Sequence, residues 1–151
     1  MKLIILGDVM GSSGREVLKN KLPDIIVENK IDFVVVNGEN AADDGRGITQ
    51  AIAEEFFSKG VDVITSGNHI WDKQETTDYI DKENRLLRPA NLAEGSPGKG
   101  YNIFSSKNKK YKIGVINLMG NVFMRKTDDV FQTAKSISEK LILKKNVDFL
   151  V

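Results

Sequence analysis

Three short apolar runs, each followed by a glycine-containing polar signature, constrain this chain more than any other feature. Leu3-Ile4-Ile5-Leu6 runs into Gly7-Asp8-Val9-Met10-Gly11. Phe33-Val34-Val35-Val36 runs into Asn37-Gly38-Glu39-Asn40, and Val61 to Thr65 leads to Gly67-Asn68-His69. Continuous apolar runs of this length suit strands buried on both faces, as in parallel sheets. Ligands of open α/β sheets bind in loops beyond the carboxyl ends of such strands. Consecutive strand ends therefore offer Asp, Glu-Asn and Asn-His to one region of space.

Helical patterns lie between the strands. Arg15 to Lys21 is predicted helical, and Pro23 is expected to start a second helical piece reaching Asn29, because proline suits a first helical turn. Ala41 to Gly47 is a loop. Ile48, Ala51, Ile52 and Phe56 then follow helical spacing, with Gly60 as the stop. Asp72 and Glu75 read as a capping pair for a short helix to Ile80. Beyond residue 85 the alternation changes. Arg88 to Asn91 is short and extended, and Ala93 to Gly100 is a glycine-rich loop. Tyr101 to Ser105 and Lys112 to Ile116 form a predicted hairpin, Val130 to Lys144 an amphipathic helix, and Val147 to Val151 a final strand. With no repeat, low-complexity stretch or linker, residues 1–151 read as one domain, long enough to bury a core.

Composition removes several function classes. Lys+Arg is 22 and Asp+Glu is 21, a formal net charge of +1, which supports neither a general nucleic-acid binder nor a membrane-surface binder. The absence of cysteine excludes disulfides and thiolate metal sites. The four-residue apolar start is too short for a secretory h-region or a membrane span, so the expectation is a cytoplasmic protein.

Each signature has a functional and an ordinary reading. Asp8 supplies the carboxylate oxygen that hard cations prefer, or it belongs to a helix N-cap region. Gly7, Gly11 and Gly14 match neither G-x-G-x-x-G nor a P-loop. Glu39 is placed to bridge two cations about 3.5–4 Å apart, and Asn40 to add a carbonyl oxygen, although Asn and Gly are also standard turn residues. Asn68 is a further oxygen donor, and His69 suits proton transfer to an oxygen leaving phosphorus. Together these look like the first half of a two-metal phosphoesterase centre. His69 is the only histidine, whereas such centres use several. Trp71 reads as core or as a site wall. Asp43, Asp44 and Arg46 read as site mouth or surface loop, and Lys107, Lys109, Lys110 and Lys112 as a solvated hairpin tip.

The chain resembles the calcineurin-like metallophosphoesterases, specifically their YmdB-like bacterial branch. The matching stretches are Gly-Asp-Val-Met-Gly at 7–11, Asn-Gly-Glu-Asn-Ala-Ala at 37–42, Gly-Asn-His-Ile-Trp-Asp at 67–72 and Arg-Pro-Ala-Asn at 88–91. Met10 replaces the histidine common in the wider superfamily, and Glu39 its bridging aspartate; the YmdB-like branch shares both changes. The resemblance implies an α/β two-sheet sandwich flanked by helices, of which this chain carries the N-terminal portion. It implies hydrolysis of cyclic nucleotide phosphodiesters with two iron or manganese ions. Asp8 and Asn40 would bind one metal, Asn68 the other and Glu39 both, with His69 catalytic. Family members continue into segments that supply three further histidines, none of which is present here.

Two alternatives stand beside this reading. One is an incomplete site that holds a cation or a phosphate without turnover. The other is a flavodoxin-like or Rossmann-like nucleotide binder, against which the hairpin at 101–116 argues. Without the later segments, exposed apolar surface or a strand edge would favour self-association.

Overall fold

The structure, a computed structural model, describes residues 1–124 and 127–151. Strands β1 (Leu3–Asp8), β2 (Phe33–Asn37), β3 (Val63–Thr65) and β4 (Leu86–Leu87) form a parallel sheet in that order. Helices α1 (Gly11–Asn29), α2 (Gln50–Ser58) and α3 (Gln74–Ile80) connect them. A second sheet holds β5 (Tyr101–Ser105), β6 (Lys112–Ile116) and β7 (Phe149–Leu150), with β5 antiparallel and β7 parallel to β6. Helix α4 (Val130–Ser138) makes the β6-to-β7 crossover.

Three apolar layers explain the stacking. Leu18 and Leu22 of α1, Ala53 and Phe56 of α2 and Ile80 of α3 pack on Val34, Val36 and Ile64, one face of the parallel sheet. Phe33, Val35, Val63 and Leu87 on its other face meet Ile113 and Val115 of the second sheet. Ile137 and Leu141 then cover Ile116, Tyr101 and Leu150 on the outside. Phe33–Val36 is buried along its whole length because helices cover one side and a sheet the other. Two facing sheets with an antiparallel pair exclude the flavodoxin-like alternative.

Local expectations fared unevenly. Residues 11–29 form one helix with Pro23 inside it, not two pieces. Proline inside a helix costs about 3 kcal/mol. Leu18 and Leu22 are buried, and Ile26 packs beside them at the same four-residue spacing; burying each such side chain gains about 1.5–3 kcal/mol, so continuing the helix wins. Helix α2 begins at Thr49, whose hydroxyl accepts from Ile52 N at 3.2 Å, and Gly60 beyond its end has φ 95°. Helix α3 has no Asp72–Glu75 capping pair. Its N-cap is Lys73 without a side-chain bond; the Glu75 carboxylate accepts from Gln50 N and the Asp72 carboxylate meets His69. Helix α4 stops at Ser138 rather than Lys144. Leu141 still reaches the core from the turns that follow, where Lys144 is left-handed at φ 62°. Strand β7 spans only Phe149–Leu150, although backbone bonds to β6 run from Asp148 to Val151. The hairpin lies at the expected residues. Among the described residues, no helix is long and apolar enough to cross a membrane.

Candidate active site

All three signatures lie at the carboxyl end of the parallel sheet, on adjacent strands. Asp8 closes β1 beside a register irregularity after Leu6 and pairs with Asn37 of β2. Backbone bonds stitch the first loop to the second: Val9 N to Asn37 O at 3.0 Å and Gly11 N to Asn40 O at 2.9 Å, with Gly11 at φ 57°. The Asn40 carboxamide donates to Asp8 Oδ2 at 2.8 Å. Asn37 Oδ1 accepts from Glu39 N at 2.9 Å, a local side-chain turn that lifts Glu39 off the strand.

Glu39 reaches the third loop. Its carboxylate occupies the space that a Cβ at residue 67 would fill, so only glycine admits it there. Burial and the nearby Asp8 carboxylate raise its pKa, while His69 and the Asn68 backbone N–H oppose them without cancelling the rise. Two carboxylates held together in this way favour a cation. His69 Nδ1 lies 2.7 Å from Asp72 Oδ2. An ionised carboxylate only accepts, so this contact assigns a proton to Nδ1.

Asp8, Glu39, Asn40 and the Asn68–His69 loop thus meet at the carboxyl end of the sheet, Asn68 reaching Glu39 through its backbone N–H. The donors fit a hard cation, since carboxylate and carboxamide oxygens are what such ions take. They do not fill two coordination shells. Among the described residues, no group of three His, Cys, Asp or Glu side chains is gathered to hold a metal. The surrounding loop is tied down by Arg15–Asp43 at 2.5 Å and Lys73–Asp44 at 2.7 Å, so both aspartates serve the loop's anchorage. Lys73 holds the Asp44 carboxyl below its usual range. Trp71 packs against the helical core cluster. A cavity of about 540 Å³ lies elsewhere, between the 88–101 segment and α4, lined by Arg88, Tyr101, Thr133 and Lys140 among others.

Three contributors are not singled out by sequence reasoning. Asp72 reads there as a cap, although its position three residues after His69 is an available signal. Gly67 is visible only as part of a turn. Asn117, at the end of β6, repeats the pattern of an apolar strand ending in asparagine.

Comparison with known proteins places this geometry. The family model described as YmdB-like protein matches residues 4–151. A 2',3'-cyclic-nucleotide 2'-phosphodiesterase of Bacillus subtilis is 42% identical over 137 residues, covering 91% of this chain and 51% of the relative. A putative phosphatase/phosphodiesterase of Mycoplasma pneumoniae is 34% identical, covering 98% of this chain and 52% of the relative. Among solved structures, one described as a novel phosphatase from Mycoplasma pneumoniae superposes with a TM-score of 0.86 at 32% identity, covering 100% of this chain and 53% of that one. A hypothetical protein from Thermus thermophilus also gives 0.86, at 31% identity, with coverages of 99% and 56%. The chain spans about half the length of the curated relatives it matches.

Proposed function

The chain belongs to the YmdB-like family, and from that premise we propose that its strand-end loops serve a metal-dependent phosphodiesterase acting on cyclic nucleotides. The observation that carries the reading is the Glu39 carboxylate, seated against Gly67 between Asp8 and the Asn68–His69 loop. The name of the Bacillus subtilis relative supports the substrate class.

In this reading Asp8, Asn40, Asn68 and Glu39 would hold the cations, iron or manganese being the ions proposed, and Glu39 would serve both. Such ions would supply Lewis-acid charge and would lower the pKa of water at the site. The chain's own residues do the rest. Asn40 orients the Asp8 carboxylate. Asp72 keeps a proton on His69 Nδ1; when the ring also carries one on Nε2, that second proton is the one given to the oxygen leaving phosphorus, and the neutral Nδ1–H imidazole remains.

The test uses a version of the protein that carries the further histidine-bearing segments of its family, loaded with metal, and 2',3'-cyclic AMP as substrate. His69→Ala is expected to cut turnover about 10²–10⁴-fold, the usual worth of general acid–base help, with metal content nearly unchanged. Glu39→Gln is expected to lower both, because a neutral amide bridges two cations poorly. Full activity in His69→Ala would remove its catalytic role. The rival reading, a module that holds one cation or a phosphate without turnover, is favoured by the lack of a three-ligand cluster among the described residues. It requires metal binding with no hydrolysis by the wild type.

A further inference from the structure

We propose that Asn117 is a positioning residue that sets the Gly67–His69 loop from the opposite sheet. Its side chain is buried at the carboxyl end of β6. The carboxamide donates to Ser66 O at 2.7 Å and to Leu87 O at 3.0 Å. One side chain at the end of a second-sheet strand therefore holds the residue that follows β3 and the last residue of β4 in the first sheet. Ser66 adds its own tie, its hydroxyl donating to Leu87 O at 2.8 Å. The backbone of Asn117 is itself fixed, donating to Gly100 O at 2.9 Å and accepting from Ala90 N at 2.7 Å.

The consequence follows along the chain. The Ser66 carbonyl belongs to the peptide that leads into Gly67. Gly67 is the residue whose missing Cβ admits the Glu39 carboxylate, and Asn68 N–H faces that same carboxylate. A shift of the Ser66 peptide moves Gly67, the Glu39 seat and His69 together. A buried carbonyl left without its donor is costly, so the peptide is expected to turn toward another partner once the carboxamide is removed. Asn117 acts through the loop and touches no reacting atom. The catalytic consequence rests on the phosphodiesterase reading, whereas the mechanical role does not.

His69 is the only histidine, so the protein gives a single imidazole proton signal set in NMR, a reporter that needs neither metal nor turnover. The experiment compares this signal in wild type, Asn117→Ala and Ser106→Ala. Ser106 is an equally buried polar residue, bonded within the β5–β6 turn and making no contact with the 66–69 segment. Asn117→Ala is expected to shift or split the His69 signals, and Ser106→Ala to leave them in place. On metal-loaded protein, Asn117→Ala should lower kcat for 2',3'-cyclic AMP about 10–100-fold, the usual effect of losing a supporting contact at a metal site, with KM little changed. Where the alanine variant does not fold, Asn117→Ser, which keeps one hydroxyl donor, makes the same comparison. An unmoved His69 signal in a folded Asn117 variant overturns the proposal, as does an equal shift in Ser106→Ala. Collapse of both Asn117 variants also overturns it, by making the residue a requirement of the whole fold. A wild type without phosphodiesterase activity removes the functional reading alone, because the NMR comparison still decides the positioning role.

Discussion

The Glu39 carboxylate sits in the space that any side chain at position 67 would need. These residues lie on loops after neighbouring parallel strands, β2 and β3, and the missing Cβ of one is the seat of the other. The glycine of the Gly67-Asn68-His69 signature is thus a steric requirement of the proposed metal bridge.

Gly67→Ala should therefore act on metal binding more than on the fold. The added methyl pushes Glu39 away from Asp8 and from the Asn68 N–H. Calorimetric titration with Mn²⁺ is expected to show at least a tenfold loss of affinity, in line with the ~10–100-fold seen when groups supporting a metal site are lost. A variant that binds Mn²⁺ as tightly as wild type would show that Glu39 has another productive position.

Asp72→Asn separates orientation from chemistry. The amide can still meet Nδ1, but it no longer requires the proton to reside there. Turnover of 2',3'-cyclic AMP should fall about 10–100-fold by analogy with other supporting groups at metal sites, while Mn²⁺ affinity stays the same. If turnover holds, the 2.7 Å contact is only a surface ion pair.

Asp62 gives a pH-dependent stability contribution of unusual sign. Burial raises its pKa above the ordinary value of 3.8, against the Val34 N–H bond and the Lys107 and Arg85 charges, which pull it down. Between 3.8 and the higher folded value, the native state binds more protons than the unfolded chain. This group's contribution to stability therefore grows as pH falls through the folded pKa and levels off below the unfolded one. Asp62→Asn keeps an acceptor for Val34 N and removes the titration. Its melting temperature relative to wild type should be highest near neutral pH and decline as the solution is acidified toward the unfolded pKa. A relative gain that instead grows in acid would contradict the assignment.

Strand β1 is an edge of the parallel sheet, and Ile5 on it is 58% exposed. An uncovered apolar edge strand invites pairing with another chain. Light scattering on the 151-residue chain should detect self-association that Ile5→Lys reduces. A wild-type monomer at all concentrations would count against it.

Much of the site was legible because it depends on short-range rules. Apolar runs mark buried strands, glycine marks the turn, and the next polar residue is delivered to the sheet end. Asp8, Glu39, Asn40, Asn68 and His69 follow from that pattern. The local reading failed where long-range packing outweighed propensity. Pro23 stays inside α1 because Leu18, Leu22 and Ile26 share one buried face. Glu75 leaves its expected cap because Gln50 N, at the start of another helix, takes its carboxylate.

By itself the sequence determined the strand–helix alternation, the hairpin, and the chemical set gathered at the strand ends. Each of these is encoded in a few neighbouring residues through periodicity and turn chemistry. Only the tertiary structure decided that the Glu39 carboxylate would occupy the gap at Gly67 and that Asn117 would hold Ser66 from 51 positions away. Hydrogen bonds and close contacts of that kind depend on how the two sheets stack and on which carbonyls the stacking leaves buried, and no local pattern carries that information.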